Sequence, residues 1–131
     1  VINPLGAAYE ALTADTELMA LVTGGVSTVW NISTAQLPRI ILGYDTMRID
    51  QFIRAGKLNL DLFFVGNVVE AANTIKNLCV SILESIVYDT DETGETLRFY
   101  YETDNLITED NPDIGHLSVI FDIRFARKLL I

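Results

Sequence analysis

One cysteine, one histidine, one tryptophan and three prolines are all that this chain of 131 residues contains of those types. The lone Cys79 excludes an internal disulfide framework and any cysteine-built zinc cluster within one chain; a reducing compartment is its simplest setting. Cations are scarce as well, with 9 Lys and Arg against 18 Asp and Glu and a net charge of −9. Gripping nucleic acid requires clustered Lys and Arg to neutralise phosphates, and no such patch exists, so tight or specific DNA binding is not expected, although DNA could still slide past an acidic wall. No run approaches the roughly 18 uninterrupted apolar residues of a bilayer span. The opening Val1-Ile2-Asn3-Pro4-Leu5-Gly6 shows neither a basic n-region nor an apolar h-region. The expectation is therefore synthesis and function in the cytoplasm, without export and with no membrane partner.

Catalytic signatures are missing too. The chain has no GxGxxG, no phosphate-loop GxxxxGK, no HExxH and no GxSxG. Gly24-Gly25 follows a helical pattern, so it reads as a stop signal and not a phosphate cradle. His116 would need a partner and a pocket to serve as a base, and its place after Gly115 at the start of a strand suggests a surface or edge position. Cys79 lies in a helical apolar stripe, where a thiol acts as a small hydrophobe; pairing with His116 would require that helix to pass the strand's start. Residues 89–95 open like a calcium loop, but position twelve is Tyr100 where a bidentate Glu is required, and a strand follows where a helix is needed. A solvated acidic turn is the better reading, and no metal or cofactor is expected. A carboxylate-based hydrolase would need a cleft from residues 89–113, which no spacing localises.

Apolar residues, by contrast, make up 50% of the chain, and its mean hydropathy is +0.30, high beside a normal share of charge. A length of 131 residues suits one soluble domain with one core, residues 1–131, so part of the apolar surface is expected to meet other subunits. Charge is uneven. Between residues 89 and 113 lie Asp89, Asp91, Glu92, Glu95, Glu102, Asp104, Glu109, Asp110 and Asp113, against Arg98 alone. This segment reads either as a plain solvated face that keeps the protein soluble or as an acidic wall that DNA would slide past.

Periodicity sets the expected elements. Residues 4–22 read as two helical pieces broken near Thr13-Ala14-Asp15, with Pro4 tolerated in a first turn and Thr13 or Asp15 capping the second piece. Residues 26–31 and 39–45 are strand candidates, joined by a polar connection closing on Pro38. Residues 46–56 contain Met47, Ile49, Phe52 and Ile53, too apolar for an ordinary hairpin tip, so either the strands lengthen into a ribbon or the tip docks on something. Residues 57–65 alternate with Leu58, Leu60, Leu62 and Phe64 on one face; Phe63 and Val65 make the second face apolar as well, which marks a central strand. The longest helix is expected over 68–87, its stripe formed by Val68, Ala71, Ala72, Ile75, Leu78, Cys79, Ile82 and Ile86. Residues 89–95 read as a turn, 97–102 as a strand and 104–115 as an acidic loop with a short paired segment near Leu106. Residues 116–127 form the last strand, with Leu117, Val119, Phe121, Ile123 and Phe125 facing the core. The order ααβββαββ predicts an α+β fold: a mostly antiparallel sheet, one long helix packed on a face, and an N-terminal helical pair at an edge or end.

This arrangement resembles the tail terminator and tail completion (head-tail joining) proteins of tailed bacteriophages and phage-like particles. The likeness is carried by the helical lead of residues 9–22 and the strand with Trp30. It continues through the polar run ending at Leu37-Pro38, the apolar strand from Ile40, the strand of Leu58 to Phe64 before the long helix, and the closing strand of Ser118 to Phe125. It spans nearly the whole chain as a pattern of elements without a signature motif. The resemblance implies a structural virion protein, not an enzyme: a homo-oligomeric ring, commonly hexameric, that caps the tail tube. Its partners would be the tail tube protein and the head completion or connector proteins, in a neck assembled in the host cytoplasm. Candidate assembly residues are Met47, Ile49, Phe52, Ile53 and Arg54 of the hairpin and Arg127, Lys128, Leu129, Leu130 and Ile131 of the C-terminal segment. The candidate acidic lumen or solvent face is Asp89, Asp91, Glu92, Glu95, Asp104, Glu109, Asp110 and Asp113. A non-viral α+β interaction module of a cellular complex is the alternative that the same features allow.

Overall fold

The computed structural model describes residues 3–29, 36–49, 54–66, 68–90 and 95–127. Two short helices lead, α1 (Pro4–Ala14) and α2 (Thr16–Leu21). Asn3 caps α1, its side-chain oxygen accepting from the amides of Leu5 and Gly6, and Pro4 occupies the first turn, where a missing N–H costs nothing. Of the two candidate caps for α2, Asp15 takes the role by accepting from the Leu18 amide at 2.8 Å. The Thr13 hydroxyl instead donates back to the Tyr9 carbonyl. The chain then turns through Gly24 and Gly25. Gly25 has φ +80°, a conformation that disfavours side chains, and a Cβ on Gly24 would lie 1.8 Å from the Gln36 carbonyl oxygen.

Among the described residues six strands follow, with one long helix among them: β1 (Val26–Ser27), β2 (Arg39–Ile49), β3 (Arg54–Val65), α3 (Val69–Glu84), β4 (Val87–Thr90), β5 (Glu95–Ile107) and β6 (Ile114–Arg127). They form one sheet in the order β1-β2-β3-β6-β5-β4, antiparallel except for the β1–β2 pair. The α+β class and the long helix on one face agree with the sequence reading. Two details differ. Residues 87–90 form β4 against Glu95 to Arg98, where a helix end and a turn were expected. Strand β5 runs unbroken through Asp104 to Ile107, because β6 pairs with it along its full length and outweighs the polar character of the segment.

The helices of the described residues cover one face, α1 over the β1–β2 side and α3 over β3, β6 and β5. Beneath them lie Ile40, Leu42, Leu58, Leu60, Leu62, Phe64, Leu97, Phe99, Leu117, Val119, Phe121 and Ile123 in one core. Strand β3 is central, as anticipated; on its second face Phe63 is buried, whereas Val65 is exposed and Lys57 and Asp61 are polar. In α3 the buried stripe is Ala72, Ile75, Cys79 and Leu83, turned slightly from the expected one, so that Ala71 and Val68 are exposed. Burial pushes the Cys79 thiol up to about 12.

Candidate assembly surfaces and the helix-free face

The helix-free face of the sheet carries the polar chemistry. His116 on β6 lies directly opposite Phe63 on β3, which lies opposite Arg39 on β2. The imidazole stacks on the Phe63 ring at 4.3 Å between centroids, and the Arg39 guanidinium sits 5.2 Å from that ring's centre. His116 is only 6% exposed, so the expected surface or edge position is wrong: β6 is an interior strand, paired on both sides. Its Nε2 meets the Asp61 carboxylate at 2.7 Å and its Nδ1 meets Glu109 at 2.6 Å. Both ring nitrogens are engaged, so the cluster fastens the loop after β5 to the sheet and presents no free base. Cys79 lies among the core residues on the other face, so it forms no pair with His116.

A second polar cluster spans three strands. The Lys57 ammonium on β3 donates to Asp122 on β6 and to Glu102 on β5. A bulge between Tyr101 and Thr103 accompanies this contact; bulges commonly re-aim a side chain. The Asp122 hydrogen bond, then that of Glu102, raises the Lys57 pKa above its ordinary value. Nearby, the Arg124 guanidinium lies over the Tyr100 ring at 5.1 Å. On the helix side, Asp104 accepts from the Tyr101 hydroxyl and from Lys76 at 3.3 Å. Tyr101 is the main cause of a lowered Asp104 pKa, and Asp104 in turn raises that of Tyr101.

The acidic segment is thus distributed along the sheet. Asp89 in β4 and Glu95 at the start of β5 lie at one end, and Glu109, Asp110 and Asp113 lie at the other. Glu102, Asp104 and Glu109 have Lys57, Lys76 and His116 as partners, whereas Asp110 and Asp113 are exposed; Asp91 and Glu92 lie outside the described residues. Asp89 pairs with Thr96 in a strand, not in a calcium loop. Among the described residues no three His, Cys, Asp or Glu side chains are grouped to hold a metal, and no helix is long and apolar enough to cross a membrane.

Met47 and Ile49 end β2, Arg54 begins β3, and the register places them at the same end of the sheet as Arg127, the last residue of β6. The strands therefore do lengthen into a ribbon. Phe52, Ile53, Lys128, Leu129, Leu130 and Ile131 lie outside the described residues. The opposite end carries a surface that the sequence reading missed: Val65, Val68, Leu106 and Ile107 are all exposed apolar residues, with Leu106 at 60%. Leu106 and Ile107 were hidden from a reading of the sequence by the acidic residues around them. The adjacent pair Leu106-Ile107 within that acidic stretch was the available signal.

Among the described residues, one sheet with the helices packed on one face and polar clusters on the other defines an α+β fold. In structure it is similar to a chain from the virion of a native gene transfer agent (GTA) particle, with TM-score 0.71, 13% sequence identity, and coverage of 95% of this chain and 98% of that one. That degree of likeness establishes a shared fold. No protein-family model and no curated protein matches the sequence.

Proposed function

We propose that this protein is a structural subunit of a phage-like virion, a single-domain, ring-forming tail terminator or neck protein that caps the tail tube and joins the tail to the head. The observation that carries this reading is the shared fold with a virion chain over nearly the full length of both, with neither chain carrying a large extra element. The placement of the apolar residues supports it. The ribbon ending in Met47 and Ile49 and the Val65, Leu106 and Ile107 surface lie at opposite ends of the sheet, so one subunit offers one end to the tube and the other to a connector. The ammonium and imidazole groups near the acidic segment are held by carboxylates of the same chain, which suits DNA passage without capture.

Light scattering coupled to size exclusion, with negative-stain images of the peak, tests the reading. Rings of one uniform size are expected at high concentration, and stacks on tubes when the tail tube protein is added. A monomer under both conditions overturns it.

A further inference from the structure

The sheet has two lateral edges, and among the described residues each is only partly covered. On one side β1 pairs with β2 at Ile40 and Ile41 alone, which leaves residues 42–49 of β2 with no strand beyond them. On the other side β4 pairs with β5 only from Glu95 to Arg98, which leaves residues 99–107 open. The Tyr101 amide points out from this second edge, where the carboxylate of Glu84 accepts from it at 3.3 Å in place of a strand. Unpaired edges of this length are templates for another chain, and proteins that expose them unprotected tend to use them.

Resting on the ring reading, we infer that adjacent copies of this chain join head-to-tail by pairing the open edge of β2 in one copy with the open edge of β5 in the next. Three observations select this partner. The first is direction. Strand β2 is antiparallel to β3, β3 to β6 and β6 to β5, so β2 and β5 run in opposite senses. A copy rotated about a ring axis inclined to the strands therefore brings its β5 antiparallel to β2 with a register stagger, and two different edges in contact give the kind of interface that closes rings. The second is fit. Leu42 and Tyr44 belong to the helix-covered face, as does Leu106 opposite Leu117, whereas Ile107 is on the other face opposite His116. Placing Leu106 beside Tyr44 sets Ile107 beside Gly43, covers both exposed apolar side chains, and leaves β1 of one copy and β4 of the next outside the paired stretch. The third is charge. Residues 99–107 carry Glu102 and Asp104 and no cation, whereas residues 42–49 carry Arg48 against Asp45 and so hold no excess of negative charge. Pairing β5 with a second β5 would instead bring the carboxylates of two copies together, which is unfavourable across strands.

Cross-linking between copies tests the pairing. The native Cys79 is buried, so introduced thiols report alone. Gly43 has room for a side chain, the nearest atom to a Cβ there being that of Asn59 at 3.9 Å. When the Gly43→Cys and Ile107→Cys proteins are mixed and oxidised, a disulfide-linked dimer is expected, and each variant alone gives none. Both substitutions in one chain give a ladder that ends in a closed covalent ring. Hydrogen exchange on the unmodified protein provides a readout independent of the variants: on concentration from monomer to ring, amides in 42–49 and 99–107 slow by about tenfold or more. Rings seen in images with no cross-link and unchanged exchange in both stretches overturn the edge pairing and leave the ring reading standing. Cross-linking of the Ile107→Cys protein with itself overturns it also. Monomer at every concentration removes both.

Discussion

The two faces of the sheet are held by different forces. Under the helices the side chains are Leu, Ile, Val and Phe, nearly all fully buried, and their contribution is burial of apolar area at about 25 cal/mol per Å². On the helix-free face the contacts are specific pairs across neighbouring strands: Arg39 with Phe63, Phe63 with His116, His116 with Asp61 and Glu109, and Lys57 with Asp122 and Glu102. The apolar face tolerates no loss of volume, yet it would accept many registers that keep the alternation. The polar face contributes less energy and more selectivity, since a slip of two residues, which keeps the alternation, would part every one of these partners.

Substitutions should separate the two roles. The largest effect is expected for Phe121→Ala, which opens a cavity in the middle of β6 beneath α3 and should cost about 3–5 kcal/mol, read as a large drop in the denaturant midpoint with little change in slope. A loss below about 1 kcal/mol would mean that the helix layer collapses into the gap and that the core is less tightly packed than described.

Next comes His116→Ala, which leaves the Asp61 and Glu109 carboxylates without their shared partner and should cost about 1–3 kcal/mol. Hydrogen exchange should also quicken in residues 108–113, while exchange in the α3 core stays protected at the same fraction of the global stability. Uniform loosening of both regions would show that the cluster serves the whole core and not the loop.

The smallest effect is expected for Lys57→Met, at about 1 kcal/mol or less, since the clamp is partly solvated. Its pH dependence has a definite sign. The folded-state pKa of Lys57 is raised, so its contribution is fully present below the ordinary lysine value of 10.5 and is lost as pH rises through the folded value. Wild type and Lys57→Met should therefore converge in stability above pH 10.5, and equal differences at pH 7 and pH 11 would reject the clamp as an ionic contact.

Local patterns in the sequence were sufficient for much of this. The break at Asp15, the alternation of Leu58 to Phe64, the central position of β3 and the core face of β6 all follow from capping chemistry and from periods of 3.6 and 2 residues. The surroundings of His116 did not. Its carboxylate partners are 55 and 7 residues away in sequence, and nothing near Gly115-His116 signals Asp61. The ribbon was foreseen as a possibility, whereas the exposed Leu106 and Ile107 were masked by their acidic setting.

Periodicity reports which way each side chain faces, because that depends only on the backbone geometry of its own segment. It does not report which strand lies beside which. That β6 inserts between β3 and β5, that β4 covers only the first four residues of β5, and that a buried imidazole finds two carboxylates are outcomes of long-range pairing. They are selected by the free energy of the whole sheet and not by any one segment.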